Sequence, residues 1–260
     1  MAEPDDLMKP GTTIEQVDLT GARFRSVDLS NSRFMAVDLT GAVLRGADLV
    51  DVRIDGEIEN LRINGVDVAP LVEAELDRQY PDRVKMRPTD VAGFREAWDV
   101  IERLWDGTVN RARSLQPEQL HESVDEEWSF IQTLRHLVFA TDSWIGRAIL
   151  GNPRPYHALG LPWDQAPADL PGLPRDRDAR PSLDEVLALR RDRMATVRQV
   201  LDDLTEEKLA GHTEPVMEPG WPRSVSYPVR RCLLIILNEE WQHRLYAERD
   251  LDVLAAAGKS

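Results

Sequence analysis

Glu239 and His243 stand four residues apart in the run Asn238-Glu-Glu-Trp-Gln-His243, a spacing that sets both side chains on one face of a helix, one turn apart. A carboxylate and an imidazole so placed can hold a divalent metal ion between them. Val229, Cys232 and Ile236 precede them on the same stripe, which turns polar at Glu239 and continues through His243 and Tyr246. A carboxylate aimed at a core is costly unless it is paired or bound to metal. Glu240 with His243 offers the alternative i, i+3 spacing of carboxylate-bridged metal bundles, so the sequence leaves either glutamate as the ligand. A Glu-His hydrogen bond or a solvated face needs no metal, and one such pair does not define a site.

The best third ligand is His136, in Leu134-Arg-His136-Leu137. If Leu134, Val138, Thr141, Ile145 and Ala148 form the inward stripe, His136 lies roughly 200° from Leu134 at about 100° per residue. Its helix must then be buried on a second side, through Leu137, Ala140 and Trp144. His121, His157 and His212 fall among polar and turn residues and are read as surface groups, with His157 and Tyr156 able to line a pocket. Trp128, Trp163, Trp221 and Trp241 are read as core or lid packing, and Asp142 and Asp250 as surface or salt-bridged positions. No Gly-rich phosphate loop or nucleophile elbow is present, which leaves nucleotide-driven and serine-hydrolase chemistry without support. Cys232, inside Cys232-Leu-Leu-Ile-Ile-Leu237, reads as a reduced core thiol and a poor nucleophile, so no catalytic residue is assigned.

Helices must position these groups. The first spans roughly Asp90 to Arg113, with Phe94, Trp98, Ile101, Trp105 and Val109 on one stripe and Thr89 or Asp90 as its cap. The second starts at a capping box, Ser129 with Gln132, and runs from Phe130 to Leu150, stopping at Gly151. Ser182 with Glu185 opens a third, to Leu204, with a short helical turn from Thr205 to Leu209 after it. The fourth follows Pro228 and reaches about Leu254. The connections Asn152 to Pro181 and Gly211 to Tyr227 are rich in Pro and Gly and far longer than usual between bundle helices, the first suggesting a crossover or a lid. Four helices of similar length with two long connections predict a four-helix bundle.

The N-terminal region obeys another rule. Leu19, Phe24, Leu29, Phe34, Leu39, Leu44, Leu49 and Ile54 recur every fifth position, each preceded two places earlier by a mostly small residue from the series Val17, Ala22, Val27, Ser32, Val37, Ala42, Ala47 and Val52. Neither a helix nor a strand has that period, so this is a very short solenoid. Ile58, Leu61, Ile63 and Val66 read as one or two closing strands, Val68 to Gln79 as a helical tail and Arg83 to Arg87 as a linker. The expected division is 12–66 for the repeats, 67–88 for the connection and 89–256 for the bundle.

The 260 residues are 42% hydrophobic and carry a formal charge of −14, which speaks for a folded chain and against nucleic-acid binding. The N-terminus lacks the basic and apolar regions of a signal peptide, and no stretch has the roughly 18 apolar residues of a membrane span. The expected location is the cytoplasm, away from membranes.

Val-Asp-Leu-Thr-Gly (17–21), Ala-Arg-Phe-Arg-Ser (22–26), Val-Asp-Leu-Ser-Asn (27–31) and Ala-Asp-Leu-Val-Asp (47–51) resemble the pentapeptide-repeat family. The resemblance implies a right-handed parallel β-helix of about two coils, with bulky and small residues inward. So short a stack should dock on the bundle or on a second chain, and it offers too little surface to imitate duplex DNA, as some members do. Trp128-Ser-Phe-Ile-Gln-Thr-Leu134-Arg-His136-Leu137 and Asn238-Glu-Glu-Trp-Gln-His243-Arg, with Arg249-Asp-Leu251 behind, resemble the DinB family of four-helix bundles, including its thiol-dependent S-transferase relatives. That likeness maps the family's metal ligands onto His136, position 239 and His243. Position 239 is Glu where the family has His, and two His with a carboxylate still suit Zn²⁺, Ni²⁺, Mn²⁺ or Fe²⁺.

The implied protein is a divalent-metal-dependent enzyme acting on a small-molecule substrate, by transfer of a low-molecular-weight thiol cosubstrate to an electrophile or by metal-assisted hydrolysis. The alternative is a non-catalytic scaffold using the repeat surface, with Glu239 paired to an arginine. A homodimer, through the helices or the β-helix, is left open.

Overall fold

In the computed structural model residue 9 and residues 11–164, 166–167 and 170–257 are described; the N-terminal stretch read for a signal peptide lies mostly outside them. The chain divides into two compact units, one ending at Glu57 and the other beginning at Ile58.

In the first unit the five-residue period is written in the backbone. Residues 11, 16, 21, 26, 31, 36, 41, 46, 51 and 56 all have positive φ, glycine at half of them and Gln16, Ser26, Asn31, Ala36 and Asp51 at the others. Every second repeat closes a hydrogen-bonded turn, from Ala22 N to Leu19 O, Ser32 N to Leu29 O and Ala42 N to Leu39 O. Gly21, Asn31 and Gly41 take the third place of these turns, where positive φ is required. Asp18, Asp28 and Asp38 brace them by accepting from the amides of Thr20, Ser30 and Thr40. The expected inward burial is not found: every described residue up to Glu57 is exposed, the bulky positions between 49% at Leu19 and 66% at Leu44. Among the described residues no strand pairing joins one coil to the next. In the two coils expected of eight repeats an inner side chain would have at most one stacked neighbour, too few for the repeat alone to enclose a core.

The second unit opens with a hairpin, β1 (Arg62–Ile63) and β2 (Val66–Asp67), antiparallel with Ile63 opposite Val66. Its two-residue turn is Asn64-Gly65, both at positive φ, the favoured chemistry for so tight a reversal. Helix α1 (Ala69–Gln79) follows. The segment read as a linker instead forms a 3₁₀ helix, Pro81–Met86. It is tied back to α1 by Arg83, which reaches Glu73 at 2.8 Å and Asp77 at 2.7 Å.

Four longer helical segments carry the core. They are α2 (Val91–Ala112), α3 (Phe130–Thr141), α4 (Leu183–Asp202) and α6 (Val229–Ala257), with the short α5 (Glu206–Ala210) between the last two. Their starts follow the sequence: Asp90 caps α2 by accepting from Gly93 N, and both capping boxes form, at Ser129 with Gln132 and at Ser182 with Glu185. Helix α2 packs on α4 and α6, and so does α3. Phe94, Trp98, Ile101, Leu134, Leu137, Val197, Leu201, Leu233 and Ile236 are buried in one contiguous cluster, each of the larger side chains worth roughly 1.5–3 kcal/mol of burial.

The helix expected to run from Phe130 to Leu150 changes winding at Asp142 and continues as a π-helix to Ile149, with Gly151 at φ +69° just beyond. Buried Arg147 of this segment reaches outward to one of the long connections. Arg147 donates to the carbonyls of Pro222, Val216 and Glu218 in the loop before α6. Gly220 passes so close that an added Cβ would lie 3.0 Å from Tyr156 Oη and 3.2 Å from Arg147 Cζ. Among the described residues no helix is long and apolar enough to cross a membrane.

Candidate metal centre

Helix α3 holds His136 two turns beyond its capping box, and α6 holds Glu239 and His243 one turn apart. Nε2 of His136 lies 3.3 Å, and Nε2 of His243 3.1 Å, from the same oxygen, Oε2 of Glu239. One ligand atom from each residue can be chosen so that all lie within 4.8 Å of one another, the only such group of three or more metal-ligating side chains among the described residues.

The helical-wheel difficulty over His136 disappears because α3 has no outer face. Every residue from Phe130 to Thr141 except Gln132 is buried, the loop after the π-helix covering the side turned away from the other helices. From that loop the Leu161 carbonyl meets His136 Nδ1 at 2.9 Å. A carbonyl only accepts, so Nδ1 carries a proton, and Nε2 is the ring atom turned toward Glu239.

The other glutamate is settled by α4. Glu240 is bound in a two-pronged ion pair by Arg190, at 2.8 and 2.7 Å, with both side chains almost wholly buried. Arg190 also lies over the Trp105 ring, its guanidinium carbon 5.6 Å from the centroid. Glu240 is therefore occupied, and Glu239 is the carboxylate that meets the histidines.

Burial alone would raise the Glu239 pKa, but hydrogen bonds from His136 and His243 hold it far below the ordinary carboxylate range. Burial pushes the His243 pKa down, a shift that Glu239 only partly offsets. At neutral pH the centre thus offers an ionised carboxylate and a His243 inclined to be neutral, the forms that ligate. A proton or a cation between Nε2 of His136 and Oε2 of Glu239 satisfies both atoms, and this donor set fits a divalent transition ion.

Aromatic rings wall the centre. Trp128 lies parallel to the His243 ring, centroids 5.8 Å apart, and tilted against His136 at 4.5 Å. Its indole N–H donates to Asp164, which Arg177 also binds, at 2.6 Å. Tyr246 meets His243 edge-on. Farther along α3, Phe139 contacts Tyr156 and Trp163, and Trp163 meets Trp221, so the two long connections touch through their indoles. Trp241, by contrast, is core.

The remaining candidates take structural roles. His212 is exposed, while His157 Nδ1 accepts from Leu159 N. Asp142 and Asp250 are buried ion-paired groups, with Arg193 and Arg249 each at 2.7 Å. Cys232 is fully buried and its thiol is pushed up to about 11 by that burial, which removes it as a nucleophile.

A pair of histidines and a carboxylate, drawn from two packed helices and walled by aromatic rings, defines a helical protein with a candidate metal centre. Residues 101–247, more than half of the chain, match the DinB superfamily, and the chain belongs to it. Residues 15–56 match pentapeptide repeats in eight copies, the number of five-residue centres in the sequence. Neither a curated protein nor a solved structure gives a significant match.

Proposed function

We propose that this is a metal-dependent enzyme of the cytoplasm, its helical unit a DinB-like four-helix bundle in which His136, Glu239 and His243 hold a divalent transition ion. The observation that carries this reading is the convergence of two imidazole nitrogens on one carboxylate oxygen, with Nδ1 of His136 engaged by the Leu161 carbonyl. Glu239 meets the histidines and not an arginine, which favours this reading over a scaffold in which an arginine would pair it.

When bound, the ion would lower the pKa of a thiol cosubstrate or of water, supplying a nucleophile at neutral pH. The favoured reaction is transfer of a low-molecular-weight thiol to an electrophilic small molecule, with hydrolysis as the second chemistry. Within the chain, Glu239 keeps its charge through the working pH range and Leu161 orients His136. Trp128 shields the two imidazoles from water. The buried Cys232 takes no part, so the thiol comes from a cosubstrate.

The test is metal content by elemental analysis of protein prepared without chelator or affinity-tag nickel, alongside His243→Ala. About one equivalent in the wild type, lost in the variant, supports the reading. A wild type that neither carries nor takes up Zn²⁺, Ni²⁺, Mn²⁺ or Fe²⁺ overturns it.

A second reading has its own observation. Leu19, Phe24, Leu29, Phe34, Leu39, Leu44, Leu49 and Ile54 are all exposed, a run of apolar surface of the kind that marks interaction sites. On that reading the repeat is an interaction module or homodimer surface. Sedimentation of the whole protein against Leu29→Lys/Leu39→Lys tests it, with an assembly that dissociates in the variant as the supporting result.

A further inference from the structure

Arg135, the residue before His136, is fully buried, and every hydrogen bond shown for its guanidinium goes to a main-chain carbonyl of the long loop between the π-helix and α4. Nε donates to Leu159 at 2.9 Å. Nη1 donates to Ala179 at 2.9 Å and Arg177 at 3.3 Å, and Nη2 to Asp176. One side chain thus clamps the loop's outgoing arm, near 159, to its returning arm, at 176–179.

The main chain of Arg135 completes the fastening. Leu161 N donates to the Arg135 carbonyl at 3.1 Å, and the Leu161 carbonyl accepts from His136 Nδ1. The same loop carries Asp164, which holds the Trp128 indole over both imidazoles. A buried cation without a carboxylate partner is costly, and only a planar fork of five N–H donors can reach four carbonyls on two chain segments at once.

We infer that Arg135 is the positioning residue of the metal centre: by clamping the loop it holds the Leu161 carbonyl against His136, fixes the Nδ1–H form of that ring and commits Nε2 to the ion. The inference rests on the proposed metal site and adds a reciprocal coupling. An ion on Nε2 makes Nδ1–H a stronger donor, so metal binding tightens the loop, and loosening the loop weakens metal binding by the same factor.

The experiment uses Zn²⁺ as the probe, with the full-length chain as wild type, Arg135→Lys and Arg135→Met. Zn²⁺ affinity is measured by competition with a chromophoric chelator, and amide hydrogen exchange at Leu161 is followed with and without Zn²⁺. The expected result is affinity about 10–100-fold weaker in both variants at unchanged stoichiometry, with Leu161 protection raised by Zn²⁺ in the wild type only. Full affinity in Arg135→Lys would show that charge suffices and overturn the clamp. Unchanged affinity in both variants overturns the inference while leaving the metal site standing. A wild type that binds no Zn²⁺ overturns both. Should the variants fail to fold, ¹⁵N spectra of His136 in Zn²⁺-loaded wild type decide: a protonated Nδ1 supports the inference, and a protonated Nε2 refutes it.

Discussion

Nε2 of His136 faces Oε2 of Glu239 at 3.3 Å while Nδ1 of the same ring is engaged by the Leu161 carbonyl, so the two atoms that meet are both acceptors when the ring is neutral. Glu239→Gln removes the charge that the two imidazoles stabilise, and is expected to lower metal-free stability while metal affinity falls by more than about tenfold. Urea unfolding with chelator and Zn²⁺ titration measure the two effects, and a variant that binds metal like the wild type would contradict the assignment.

Adjacent glutamates should separate cleanly. Breaking the buried Arg190–Glu240 pair leaves a charge without a partner in the core, and Glu240→Ala is expected to cost about 3–5 kcal/mol. Metal stoichiometry of the folded fraction should be unchanged. Denaturant midpoints and elemental analysis together read this, and loss of metal at unchanged stability would reverse the roles of the two residues.

Acid should act through His243 before it reaches Glu239. The His243 pKa is lowered from 6.5, so the unfolded chain takes up this proton at higher pH than the folded one does. Its contribution to stability is fully present above 6.5 and is lost as pH falls through the folded value. Glu239, also lowered, adds a further loss below the usual carboxylate range of 4.5. Metal-free stability is therefore expected to decline from about pH 6.5 downward, and Zn²⁺ affinity with it as protons compete for the ligands. Urea midpoints between about pH 5 and pH 8 test the sign, and a rise toward acid would refute it.

Cys232, with its thiol pushed up to about 11 inside the core, should resist a thiol reagent in the native state and react fully on unfolding. Mild native labelling with a chromogenic disulfide near pH 8 is the check, and prompt reaction would reopen this residue as a nucleophile.

Much of the helical unit was legible because its signals are local. The caps at Asp90, Ser129 and Ser182 lie within three residues of their partners, and the stripe from Phe94 to Trp105 is a property of one helix. Glu239 and His243 could be paired by their spacing, whereas His136 was mapped onto the same centre only through the family resemblance. What the sequence left open depends on contacts between distant segments: Arg190 occupies Glu240 from 50 residues away, and Leu161 buries the side of α3 that a wheel turns outward. The π-winding after Thr141 has no comparable local mark. In the repeat, the five-residue period reappears as a positive φ at every fifth residue, but a period says nothing about whether the side chains it repeats are covered.

Arg135 and Arg147 grip their loops by carbonyl oxygens, a group that every amino acid carries. The course of each loop is therefore largely independent of which side chains it displays. Substitutions at the loop tips can alter what is presented around the histidines while the frame that holds them stays put. Such an arrangement separates the part of the chain that fixes the course of the loops from the part that decides what their surfaces present.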